Sequence, residues 1–118
     1  MKWFTRAFDA VADWVRSLRS EAPPRRYRLE VFEERSRAVA RAQQAGVITV
    51  YRSAGADKWC FFKCPCGCEQ QVVLNLMKSH HPAWRIVQEE GGPSVYPSVD
   101  STTCGAHFLV RCGSIVWC

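Results

Sequence analysis

The sequence predicts an α+β fold: a small β-rich domain with helices gathered at its N-terminal end. Three observations carry that reading. The length, 118 residues, is that of one domain. Helical spacing of apolar residues is confined to the first 45 positions. From Val47 onward the chain turns to short β-branched and aromatic runs broken by Gly and Pro. Hydrophobic residues make up 47% of the chain and charged residues 23%, which is enough apolar material for a folded core.

The elements follow in order. Phe4, Phe8, Val11, Val15 and Leu18 recur at steps of three and four, with Lys2, Arg6, Arg16 and Arg19 around them, so residues 3–19 read as an amphipathic basic helix. Ala22-Pro23-Pro24 ends it, because proline breaks a helix and restricts the residue before it. The expected organisation is therefore an amphipathic basic helix or tail over 1–22 and a single β-rich domain over 23–118. Arg28–Glu33 alternates like a half-buried strand, and the alanine-rich Ser36–Ala45 is helical in propensity, with Gly46 as its cap. Val47–Arg52 and Trp59–Lys63 form a hairpin across Ser53-Ala54-Gly55-Ala56-Asp57. Gln71–Met77 and Trp84–Gln88 are strands on either side of Ser79-His80-His81-Pro82, where the two histidines read as loop residues. Gly91-Gly92-Pro93 turns the chain, and His107–Arg111 with Ser114–Trp117 closes it as a hairpin through Cys112-Gly113. Trp59, Trp84 and Trp117 fall in these strands and are expected in the core.

Charge and hydropathy narrow the function classes. No stretch approaches the roughly 18 uninterrupted apolar residues of a membrane span. Arg6, Asp9 and Asp13 interrupt any signal-peptide core, so a soluble, cytoplasmic protein is expected. Residues 1–59 carry 12 Lys/Arg against 7 Asp/Glu, while residues 60–118 carry 4 against 4. The half that holds every cysteine is neutral, which weighs against a nucleic-acid partner.

All seven cysteines lie between Cys60 and Cys118. An odd count in a chain without an export signal points to reduced thiols, and clustered thiols point to a metal. Cys64-Pro65-Cys66-Gly67-Cys68 is a tight knuckle of sulfurs, and Cys104-Gly105-Ala106-His107 is a second half-site with Cys-x-x-His spacing. Thiolate and imidazole favour Zn²⁺ over hard ions, so the domain is expected to be a small β-rich zinc-binding domain. His107 is a candidate ligand unless a third knuckle thiol or Cys118 completes the shell. Cys60 and Cys112 sit inside apolar strands and read as small buried hydrophobes. Ser98, in Pro97-Ser98-Val99, stands nine residues before His107, and the two could meet across a sheet as nucleophile and base. Ser94 and Ser101 are rivals in the same segment, and a zinc-bound His107 could not serve as a free base.

Residues 45–118 resemble a small bacterial family. The resemblance rests on Trp59-Cys60-Phe61-Phe62-Lys63-Cys64-Pro65-Cys66-Gly67-Cys68, Trp84, Pro97-Ser98-Val99, Cys104-Gly105-Ala106-His107-Phe108 and Gly113-Ser114-Ile115-Val116-Trp117-Cys118. Genes of that family sit beside those for bacterial ubiquitin-like proteins and their activating and conjugating enzymes. The resemblance implies a place in such a conjugation pathway, antiviral in purpose, where the open slot is a protease. It implies Ser98 and His107 as the catalytic pair, and Cys64, Cys66, Cys68, Cys104 and Cys118 as the shared thiols around a structural zinc. The expected function is a zinc-stabilised serine peptidase that processes or deconjugates a bacterial ubiquitin-like protein. A variant makes Cys66 or Cys68 the nucleophile. The alternative is a non-catalytic zinc-binding adaptor that docks the ubiquitin-like protein or its conjugation enzymes.

Overall fold

The computed structural model describes residues 26–118, so the helix expected over 3–19 lies outside the described residues. Strands β1 (Arg28–Phe32) and β2 (Val47–Ser53) run parallel, and helix α1 (Arg35–Arg41) joins them. A parallel pair requires a crossover, which α1 supplies. Strands β3 (Ala56–Lys63) and β4 (Gln71–Asn75) add on antiparallel, giving one sheet in the order β1-β2-β3-β4. A second sheet is an antiparallel meander of β5 (Arg85–Glu89), β6 (Gly92–Asp100), β7 (His107–Arg111) and β8 (Ser114–Trp117).

Period-two alternation assigns the faces of the first sheet. Along β3, Cys60 and Phe62 point to the second sheet and pack with Ile48, Leu74, Val95, Val99, Phe108 and Val110. Phe61 and Trp59 point the other way and pack with Ala38 and Ala42 of the helical segment. The buried Thr49 hydroxyl donates to the Ala38 carbonyl at 2.9 Å, and Arg41 grips Glu30 of β1 through Nη2 at 2.9 Å, so α1 is fixed at its middle and its C-terminal end. The layers are thus helix, sheet, sheet. Phe62 is the centre of the inter-sheet core, with edge-on contacts to Tyr27 at 6.3 Å and Phe108 at 6.1 Å between ring centroids.

The expectation of an α+β fold with N-terminal helices is overturned. Strands take up 52% of the described residues and helix 8%, in one short helix. The alanine-rich run ends at Arg41 rather than Ala45, and Gly46, at φ +84°, turns the chain directly into β2. A single crossover between neighbouring strands needs only two helical turns. The sequence places Ser98 at a strand end but does not reveal the full length of β6, whose Gly92, Pro93 and Pro97 argue against an internal strand. Gly92 is there because two hairpin ends meet: a Cβ on it would lie 2.7 Å from the Gly113 Cα. Trp117 is 49% exposed rather than core, and Cys112 occupies an exposed turn at φ +48°. Trp84 lies just before β5, half-buried against the core. No helix among the described residues is long and apolar enough to cross a membrane.

Candidate functional site

Val99 of β6 and Phe108 of β7 are register partners and both face the core. Their neighbours Ser98 and His107 therefore stand on the outer face of the second sheet. Between Val95 and Val99 the register of β6 against β7 slips, and Tyr96, Pro97 and Ser98 occupy the irregular stretch. Such a break re-aims side chains, and it is where the missing N–H of Pro97 costs no ladder bond. His107 Nε2 lies 3.1 Å from Ser98 Oγ, a hydrogen bond between the two candidate reactive groups.

The backbone of each partner is held. The Trp84 indole N–H donates to the Ser98 carbonyl at 3.2 Å, and the Cys118 amide donates to the His107 carbonyl at 3.0 Å. Asp100 is the register partner of His107 and shares its face. Among the described residues no carboxylate lies within ion-pair distance of the His107 ring. The rival serines are placed elsewhere: Ser94 is fully buried and accepts the Cys112 amide at 2.8 Å, while Ser101 Oγ lies 3.3 Å from Cys104 Sγ.

Ser98 lines a groove of about 1010 Å³, walled by Tyr96 and Leu109 of the second sheet and by the segment that follows β4. Asn75 shapes that segment. Its side-chain amide donates to the carbonyls of Met77, His80 and Pro82 at 3.0–3.1 Å and its oxygen accepts the Met77 amide. His80 and His81 are exposed in the same loop. Sequence reasoning did not find Asn75 or the Trp84 bond to Ser98. Asn beside a turn was a signal for the former, and nothing local announces the latter.

The second constellation takes Cys104 from the β6–β7 connection and three thiols from the turn after β3. The sulfurs of Cys64, Cys66, Cys68 and Cys104 all lie within 4.8 Å of one another, with Cys64–Cys66 at 3.4 Å and Cys64–Cys104 at 3.8 Å. Zn–S bonds of about 2.3 Å in a tetrahedron put sulfurs about 3.8 Å apart, so the four donors fit one ion. The knuckle turns through Gly67 at φ +86°, with the Gly67 amide on the Cys64 carbonyl. Burial pushes the Cys64 thiol up, whereas hydrogen bonding by Ser101 and the Ala106 amide holds Cys104 down to about 6. Cys104 thus offers a thiolate, the form a metal needs, more readily than Cys64. These four residues could hold a metal ion. The structure does not bring Cys118 or His107 into this group: Cys118 is exposed at the end of the chain, and His107 bonds to Ser98. Cys60 is fully buried in the core, as expected.

Comparison with known proteins finds a family match. The family model described as bacterial ubiquitination-like system serine protease (BubE) matches residues 32–118, which span every strand from β2 to β8 and both constellations. No curated protein and no solved structure matches the chain.

Proposed function

The chain belongs to the bacterial ubiquitination-like system serine protease (BubE) family, and on that premise we propose that it is a peptidase that processes or deconjugates a ubiquitin-like protein, with Ser98 as nucleophile and His107 as general base. The observation that carries this reading is the 3.1 Å contact between His107 Nε2 and Ser98 Oγ on an open face beside a groove. A serine hydroxyl becomes a competent nucleophile when a positioned imidazole takes its proton. As Ser98 Oγ bonds to the scissile carbonyl carbon, its proton passes to His107 Nε2. The imidazolium then returns that proton to the leaving nitrogen as the C–N bond breaks, which leaves an acyl-Ser98. A water attacks the acyl carbon, gives its proton to His107, and Ser98 recovers it as the carboxylate product leaves. Trp84 and the Cys118 amide keep the two backbones in place while this happens.

Zinc on Cys64, Cys66, Cys68 and Cys104 would be structural, since four thiolates close the coordination shell. The reading of His107 as a free base gains support from that donor set, because the thiols need no imidazole to complete it. The pathway is that of bacterial ubiquitin-like conjugation, with the ubiquitin-like protein and its activating and conjugating enzymes as partners, and its purpose is antiviral. The test is to incubate the purified chain with a ubiquitin-like precursor from its own conjugation system and read cleavage by intact mass. Ser98→Ala abolishes cleavage while keeping bound zinc and the melting temperature. If Ser98→Ala cleaves like the parent, and Cys66→Ala or Cys68→Ala does not, the nucleophile is a thiol. An absence of cleavage by the parent, with the precursor still bound, favours an adaptor.

A further inference from the structure

The groove that receives Ser98 has a strong charge bias. Lys58, Lys78, Arg85 and Arg111 line it, and its one acidic lining residue, Asp57, is already engaged by Arg52 at 2.7 Å. The two arginines are organised. Arg85 on β5 and Arg111 on β7 flank Tyr96 of β6, with their guanidinium carbons 4.7 Å and 4.1 Å from the centre of its ring. Glu89 accepts the Tyr96 hydroxyl at 3.0 Å, and its carboxyl is held below the usual range first by hydrogen bonding from Ser94 and Tyr96 and then by the charges of Arg111 and Arg85. Among the described residues no carboxylate reaches ion-pair distance of either guanidinium. Stacking on the ring fixes the planes of the arginines while leaving N–H groups for an incoming partner.

Tyr96 precedes Ser98 by two positions on the same strand, a separation of roughly 7 Å in extended backbone. One bound strand of substrate could thus place its scissile carbonyl at Ser98 and a side chain two residues away at the arginine pair. An acidic segment would offset these four cations, which Glu89 counters only in part, whereas a cationic segment would add to their charge. We infer that the groove is a subsite for an extended acidic peptide segment, and that Arg85 and Arg111 select a carboxylate side chain about two residues from the scissile bond. This rests on Ser98 being the nucleophile and adds the chemical class of the substrate segment to that reading. Arg85 and Arg111 are specificity residues, because they touch the substrate away from the reacting bond. Their guanidinium forks suit a carboxylate in two-point contact.

The test uses three fluorescein-labelled peptides of about ten residues in one sequence frame, long enough to run the groove at about 3.3 Å per residue. They carry Glu, Gln or Lys at alternate positions. Binding is measured by anisotropy on the full chain carrying Ser98→Ala, so that cleavage does not intervene. The expected result is that the Glu peptide binds at least about tenfold tighter than the Lys peptide, the scale of one charge-assisted hydrogen bond. High salt narrows the gap. Adding Arg85→Gln and Arg111→Gln removes most of it, and the exposed Lys78→Gln narrows it without touching the stacked pair. Equal or tighter binding of the Lys peptide overturns the proposal. Cleavage of the same peptides by the parent chain is read separately. A Glu preference in binding with no cleavage of any peptide would sink the peptidase reading and leave the groove's preference standing. Cleavage with no discrimination would do the reverse.

Discussion

Replacing Phe62 by leucine tests what holds the two sheets together. Phe62 is fully buried and its ring meets Tyr27 and Phe108 edge-on. Leucine fills most of the space but ends both ring contacts, each of which contributes about 0.5–1.5 kcal/mol beyond area burial. The volume lost is roughly 25 Å³, which adds about 0.6 kcal/mol at 24 cal/mol per Å³ of cavity. The sum is a destabilisation of about 2–3 kcal/mol, equivalent to a fall in melting temperature of about 10–20 °C for a domain of this size. The assay is urea unfolding at fixed zinc concentration, comparing midpoints at an unchanged slope. Val73→Ala, at an outward position that is 47% exposed, is the control and should stay within about 0.5 kcal/mol. A loss below about 1 kcal/mol for Phe62→Leu would refute the reasoning. It would mean that the ring contacts add little and that the sheets are joined chiefly elsewhere.

Ser98→Ala and His107→Ala should each lower the cleavage rate by about a thousandfold or more, and the double variant should be hardly worse, since either loss removes the activated nucleophile; rates that multiply would show that the two residues act separately. Gly113→Ala should destabilise by more than 1 kcal/mol in thermal melts, because φ there is +80° and the new Cβ would stand 3.0 Å from the Gly91 carbonyl and 3.2 Å from the Gly92 Cα. A melting temperature equal to the parent's would contradict that close approach. Glu30 is held below the ordinary glutamate range, first by its hydrogen bond from Arg41 and then by nearby arginine charge. A depressed carboxyl contributes stability that is present above its unfolded pKa and lost as pH falls through its folded one. Glu30→Gln should therefore melt below the parent at neutral pH and coincide with it well below about pH 4, as followed by melts across pH.

Much of this architecture is legible in the sequence where local chemistry acts alone. Val47–Arg52 and Trp59–Lys63 alternate or branch as strands do, and Ala54-Gly55 and Cys112-Gly113 are turns of the left-handed kind that short hairpins need. The knuckle of three thiols and the half-site at Cys104 announce themselves by spacing. What local chemistry hides is decided at a distance. β6 lies between two partners despite Pro93 and Pro97, because the register break accommodates Pro97 where the ladder is already interrupted. The alanine run stops short because a parallel crossover sets the helix length, and propensity carries no information about strand direction. Trp117 looks like core by residue type, yet β8 is an edge strand and leaves one side of it open. Cys118 resembles the other thiols in composition but sits beside His107 rather than the cluster.

The thiol cluster has a topological consequence. Cys64 and Cys104 are 40 residues apart in sequence. The chain between them contains β4, β5, β6, the groove's flanking loop and Ser98. A metal seated on both ends would close that whole span into a ring. In the chain-entropy picture a ring of this length restricts the unfolded ensemble by about 4 kcal/mol, as a disulfide does. Unlike a disulfide, this clasp opens by protonation or chelation without a change of redox state. With a metal bound, the strand that carries Ser98 would thus lie inside a covalent-like loop whose fastening depends on metal supply and pH.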